Sequence, residues 1–117
     1  MRHRKDTRVK GALKATIRNL VTSLVLYERV ETNREKAKEA QRDLDRLIAT
    51  AKRKVLANDK MNAIRYIGEY LLDKNASVKI IDELVSRYKD RSSGFTRIVN
   101  TRIRGGDGAQ MVEFQLV

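Results

Sequence analysis

From Gly94 onward the chain reads Gly94-Phe95-Thr96-Arg97-Ile98-Val99-Asn100-Thr101-Arg102-Ile103-Arg104, then Gly105-Gly106-Asp107-Gly108, then Ala109-Gln110-Met111-Val112-Glu113-Phe114-Gln115-Leu116-Val117. Two runs of period two flank a glycine cluster, the pattern of two strands joined by a hairpin. In the first run, alternation puts Phe95, Val99, Thr101 and Ile103 on one side and Thr96, Ile98, Asn100, Arg102 and Arg104 on the other. In the second, Val112, Phe114 and Leu116 alternate with Glu113 and Gln115. The glycines supply the positive φ that a tight hairpin requires. Everything upstream follows a different period.

From about Ala12, the residues Leu13, Ile17, Leu20, Val21, Leu24 and Val25 recur at spacings of three and four, which predicts an amphipathic helix. Tyr27 to Thr32 alternates as a short strand. Thr32 with Glu35 matches a capping box and opens a long helix over roughly 33–56, buried through Ala37, Ala40, Leu44, Leu47, Ile48, Ala51 and Val55. Asn58 or Asp59 can cap a shorter helix using Ala63, Ile64, Ile67 and Leu71. Asn75 or Ser77 can cap another that turns Val78, Ile81, Leu84, Val85 and Tyr88 inward, with Gly94 as its stop. Residues 1–10 show no apolar period. The expected architecture is α+β: several helices packed on a small mixed sheet of about three strands. An extended basic N-terminal arm, 1–10, precedes a single globular domain, 11–117.

The 117 residues hold 26 Lys and Arg against 15 Asp and Glu, a formal charge of +11. Its distribution is uneven: residues 1–18 are net +6, 28–86 only +2, 87–104 +5 and 105–117 −2. Like charge so concentrated repels itself unless a polyanion neutralises it, which makes a nucleic acid the first partner to consider. No Cys is present, so disulfides and thiolate metal sites are excluded. No apolar run approaches the ~20 residues that span a bilayer, and Met1-Arg2-His3-Arg4-Lys5 lacks the apolar stretch of a secretory signal. The chain reads as cytoplasmic, with no membrane partner.

No constellation of reactive groups emerges. The glycine cluster 105–108 precedes a strand, whereas a phosphate loop opens a helix and carries Lys with Ser or Thr. His3 is the only histidine, in a basic context suited to hydrogen bonding or stacking, with no metal-ligand companions. Asp43 and Asp45 point to different sides of a helix, as do the adjacent Asp82 and Glu83, and all four read as solvated helix surface. Gly94-Phe95 resembles the start of an RNA-recognition signature, but Arg97 and Val99 stand where further aromatics belong, so Phe95 reads as core. No catalytic residue, cofactor, metal site or small-molecule substrate is expected. The cationic candidates are Lys10, Lys14 and Arg102, chosen on charge alone. Arg is the better phosphate ligand because its planar guanidinium forks onto oxygens.

Several segments together carry a family resemblance. Met1-Arg2-His3-Arg4-Lys5, Arg18-Asn19-Leu20, Ser23-Leu24-Val25 and Thr32 with Lys36-Ala37-Lys38-Glu39 match in order. Arg87-Tyr88, Arg91, Gly94-Phe95-Thr96-Arg97-Ile98, Arg104, Gly106-Asp107, Ala109, Met111 and Leu116-Val117 continue the match. In these features the chain resembles the family of bacterial ribosomal protein seventeen of the large subunit, nearly end to end. It departs in a shorter segment between Arg8 and Leu13, and in Ser93, Ser86 and Gln110 where the family favours glycine or proline. The resemblance implies a structural, non-enzymatic role: binding large-subunit ribosomal RNA near the peptide exit tunnel rim, with neighbouring ribosomal proteins as further partners. It implies RNA contacts at Arg2, His3, Arg4, Lys5, Arg8, Arg18, Arg91, Arg97 and Arg104, and a place in the cytoplasmic 50S and 70S particles.

Three other classes compete. A free DNA-binding regulator needs a basic recognition helix, and the clearest helices are nearly neutral. An RNA-modifying enzyme needs a cofactor loop or a clustered acid, base or nucleophile. A membrane-surface protein needs bulky interfacial aromatics on its apolar face, and the first helix has none.

Overall fold

The computed structural model describes residues 10–117, with side chains from Lys14 onward. Of the expected arm only Lys10 is therefore described; Arg2, His3, Arg4, Lys5 and Arg8 lie outside the described residues. Lys10 belongs to the first helix, α1 (Lys10–Tyr27), which starts ahead of the expected Ala12. Extending a helix already held by packing costs little, because each added residue brings its own hydrogen bond. Ile17, Val21, Leu24 and Val25 form its buried stripe.

Glu28 ends α1 in the left-handed region at φ 66°, with its N–H donating to the Leu24 carbonyl at 2.8 Å. A non-glycine residue there is strained by the order of 1 kcal/mol. The strain is offset by ion pairs from Arg87 and from Lys79 at 3.4 Å. Burial opposes these pairs, but the Arg87 hydrogen bond is the larger effect and holds the Glu28 carboxyl below its ordinary value.

Strand β1 (Arg29–Asn33) leads directly into α2 (Arg34–Leu56). The cap is Asn33, whose Oδ1 accepts from the Lys36 N–H at 2.9 Å, and not the expected Thr32–Glu35 box. Strand pairing runs through Asn33 opposite Met111, so Thr32 is still in the sheet and the helix start moves by one residue. Ala37, Ala40, Leu44, Leu47, Ile48 and Ala51 are buried as expected, and Val55 packs against the core partly buried. Asn58, at φ 60°, ends the turn after α2, a conformation Asn tolerates better than most residues. Asp59 then precedes α3 (Lys60–Tyr70), its carboxylate bound to the Asn62 side chain and to no backbone N–H.

Helix α4 (Lys74–Lys79) is capped by Asp73, which accepts from the Asn75 N–H at 2.7 Å; neither Asn75 nor Ser77 is the cap. It continues through a π-helical turn, Ile80–Leu84, into α5 (Val85–Arg87). Ile80, Ile81, Leu84, Val85 and Tyr88 all face the core. Two residues assigned inward by sequence, Ile64 and Val78, are 44% and 48% exposed: Ala63 with Ile67 and Ala76 with Ile80 hold the contact lines instead. Gly94 does not stop this helix, which ends at Arg87; its φ of +70° turns the loop toward the next strand.

Strands β2 (Thr96–Ile103) and β3 (Gln110–Leu116) form the expected hairpin, with positive φ at Gly106 and Gly108. The sheet order is β1-β3-β2. It is antiparallel throughout and not mixed: the hairpin fixes one pairing, and β1 lies antiparallel on the far side of β3. Its inner face carries Val112, Phe114 and Leu116 onto α1 and α2, with Val30 and Ile98 directly opposite Phe114. Phe95 is fully buried, 5.1 Å from the Tyr88 ring, as the sequence reading assigned it.

Candidate nucleic-acid interface

The outward face of the sheet is built from three separate segments. Opposite residues in an antiparallel pair share a face, so Arg29, Glu113 and Gln115 lie with Glu31, Arg97 and Val99. Simple alternation would put Arg102 on the other side, with Thr96 and Ile98. It does not, because a bulge between Asn100 and Arg102 leaves Thr101 without a partner and sets Arg102 opposite Met111. The bulge thereby moves Arg102 onto the face of Arg97.

Each of these cations already has a local partner. Arg102 donates through Nε and Nη2 to Glu31 Oε1 at 3.1 and 2.8 Å. Arg29 lies 3.4 Å from Glu113, and Arg97 donates to Gln115 Oε1 at 3.2 Å. Arg104 lies beyond the strand and staples the hairpin, its Nε donating to Asp107 Oδ1 at 3.0 Å and its Nη2 to Oδ2. With the Ala109 N–H, that guanidinium holds the Asp107 carboxyl down at about 2. The face is therefore less positive than its arginines alone suggest. Water and salt screen exposed pairs of this kind, so a phosphate can replace a carboxylate at small cost.

The loop before β2 is positioned from α2. Lys52 donates to the carbonyls of Tyr88 and Arg91 and lies 5.8 Å from the Phe95 ring centre. Asp45 lies beside the Phe95 N–H and the Thr96 hydroxyl, with its buried Oδ1 left without a hydrogen-bond partner, and Gln41 donates to that hydroxyl at 3.0 Å. Burial of Asp45 pushes its pKa up despite these neighbouring donors. Arg91, an expected RNA contact, is exposed and donates to the Gly94 carbonyl at 3.2 Å. Sequence reasoning missed Lys52 and Asp45 as loop-holding residues, since nothing local marks a partner 39 or 51 positions away.

On α1, Lys14 is exposed, while Arg18 is engaged with the fold. Its Nε donates to the Tyr70 carbonyl at 2.8 Å and its Nη2 to the Glu69 carbonyl at 3.1 Å, with the guanidinium 5.7 Å from the Tyr70 ring centre. These are the last carbonyls of α3, which have no partner within the helix, so Arg18 caps that end with a charge of favourable sign. The Tyr70 hydroxyl donates to Asp43 at 2.7 Å; burial, then this bond, raises its pKa. Asp43 and Asp45 point to different contacts, as their spacing implied, but neither is the solvated helix surface expected of them: both are partly buried, because α3 and the loop before β2 pack over this part of α2. Among the described residues no group of three His, Cys, Asp or Glu side chains could hold a metal ion, and no helix is long and apolar enough to cross a membrane.

The described residues thus form an α+β domain that carries Arg29, Arg97 and Arg102 on one sheet face. The family described as Ribosomal protein L17 matches residues 16–117. A protein of Desulforudis audaxviator named large ribosomal subunit protein bL17 is 42% identical over 104 residues, 89% of this chain and 88% of its own length. Proteins of the same name from Helicobacter hepaticus and Moorella thermoacetica are 39% and 38% identical, each match covering 100% of both chains. The chain belongs to the ribosomal protein L17 family, a family of structural, non-enzymatic components of translation.

Proposed function

We propose that the chain is a structural constituent of the bacterial large subunit, binding its ribosomal RNA near the rim of the peptide exit tunnel. It acts in the cytoplasm within the 50S and 70S particles. Arg2, His3, Arg4, Lys5, Arg8 and Lys10 lead a basic segment between RNA helices, and Lys14 continues it. Arg91, Arg97, Arg102 and Arg104 offer guanidinium groups from the C-terminal part, exchanging weak surface partners for phosphates. Arg18 serves first to join α1 to α3. Neighbouring large-subunit proteins are the second class of partner.

The observation that carries this reading is the charge: +11 overall, with +6 in the first 18 residues, in a family whose relatives are named for the large subunit. Titration of large-subunit RNA at increasing salt tests it. If about six phosphates are neutralised, log affinity falls with log salt at a slope of roughly −4 to −5. Deleting residues 1–9 should flatten that slope; an unchanged slope overturns the role of the basic segment. Absence of the protein from the 50S peak of a sedimented lysate overturns the whole assignment. Crosslinking within isolated 50S particles tests the tunnel-rim position and the protein neighbours.

A further inference from the structure

Lys14 and Arg18 on α1, with Tyr66, Glu69 and Tyr70 on α3, line a shallow open hollow of about 300 Å³. Lys14 with Arg18, and Tyr66 with Glu69 and Tyr70, are spaced by three or four residues, so α1 presents two side chains and α3 three to the hollow. Three of the five are engaged with the fold, Tyr66 by packing partly buried against the hydrophobic core. Arg18 is anchored on the Tyr70 and Glu69 carbonyls, and Tyr70 lies beside its guanidinium with its hydroxyl on Asp43. Those contacts make a fixed floor. Around it, Lys14 and Glu69 are exposed and Tyr66 is half-buried.

This set combines an aromatic platform, a cation and an acceptor-only carboxylate in a volume at the lower end of small-ligand sites. Unpaired RNA bases are recognised by this combination: stacking on an aromatic ring, hydrogen bonds to the base edge and a cation for the phosphate. A carboxylate favours a base edge that offers adjacent N–H donors. Guanine presents two such donors, whereas uracil presents one N–H between two carbonyls.

We infer that this hollow holds one unpaired guanosine of the RNA, its base on Tyr66, its N–H edge on Glu69 and its phosphate on Lys14. The inference rests on the RNA-binding reading above and adds a base-selective contact to one otherwise carried by phosphates. Lys14 also stands one turn beyond Lys10 on α1.

The test uses the full chain and three RNA hairpins of the same stem: fully paired, with one bulged guanosine, and with one bulged uridine. At fixed salt the bulged-guanosine hairpin should bind about tenfold tighter than the paired one, within the range of stacking one base on an aromatic ring. Tyr66→Ala should abolish that advantage and leave the paired hairpin unchanged, while Tyr66→Phe keeps it. Glu69→Gln, at an exposed position, should reduce the preference for guanosine over uridine. Equal binding of all three hairpins by the unaltered chain overturns the inference, as does a Tyr66→Ala loss shared equally by all three. Failure of the RNA-binding reading would look different: no hairpin would bind with a steep salt dependence.

Discussion

Replacing Arg18 by methionine separates two roles for one residue, a cap on α3 or a contact to RNA. Methionine preserves most of the aliphatic packing and removes the guanidinium. The lost interactions are a part-buried hydrogen bond to Tyr70 O, a more exposed one to Glu69 O, a cation at a helix C-terminus and a contact with the Tyr70 ring. Separately, such bonds are worth ~0.5–1.5 kcal/mol each, the charge at the helix end ~0.3–1 and the ring contact ~0.5–1. One guanidinium makes them all, so they do not add fully; a loss of about 1.5–2 kcal/mol is expected. For a chain of this size that lowers Tm by roughly 6–8 °C, readable by circular dichroism. Arg18→Lys should recover only part, because an ammonium cannot fork onto two carbonyls. The slope of log affinity against log salt should remain unchanged in Arg18→Met, whereas Arg102→Gln should reduce it by about one. An Arg18→Met protein that melts normally but loses one unit of salt slope would refute the capping assignment.

Two further outcomes follow from the sheet and from the carboxylates. Deleting Thr101 should be tolerated, since it removes the bulged residue and leaves Arg102 opposite Met111. Deleting Glu113 should lower Tm far more, because one missing residue in β3 turns part of the Val112, Phe114 and Leu116 set away from the core. The pH dependence has two opposed contributions. Glu28, with its pKa lowered by Arg87, stabilises the fold above the ordinary carboxylate range; that contribution is lost as pH falls through its folded pKa. Asp45, raised by burial, acts oppositely: stability declines as pH rises from its ordinary value through the folded one. Urea titrations across pH 3–7 should therefore show a reduced loss on acidification in Glu28→Gln and a reduced decline toward neutrality in Asp45→Asn. Profiles parallel to the unaltered protein would refute the respective assignment.

The hydrophobic stripes of α1 and α2 were legible because burial on one side of a helix leaves a local period of three and four. The hairpin was legible because Gly106 and Gly108 adopt backbone angles that most side chains disfavour. Errors arose where long-range contacts chose between local alternatives. Strand pairing carried β1 through Asn33 and moved the cap of α2, and neighbouring small residues took the contact lines expected of Ile64 and Val78. At the candidate interface, the charge of each arginine was readable, but its partner was not. Arg102 meets Glu31, 71 positions away, and Arg18 meets the end of α3, 51 and 52 positions away.

The sequence by itself determined the α+β class, most helix stripes, the hairpin and the two basic blocks. Each is a property of residues within a few positions of one another, where side-chain period and turn chemistry act directly. Only the tertiary structure decided that Arg97 and Arg102 share a face, that Arg18 closes a helix and that Lys14, Tyr66 and Glu69 surround one hollow. Those outcomes depend on a bulge and on helix packing, in which distant segments fix each other's position. No local pattern encodes that geometry.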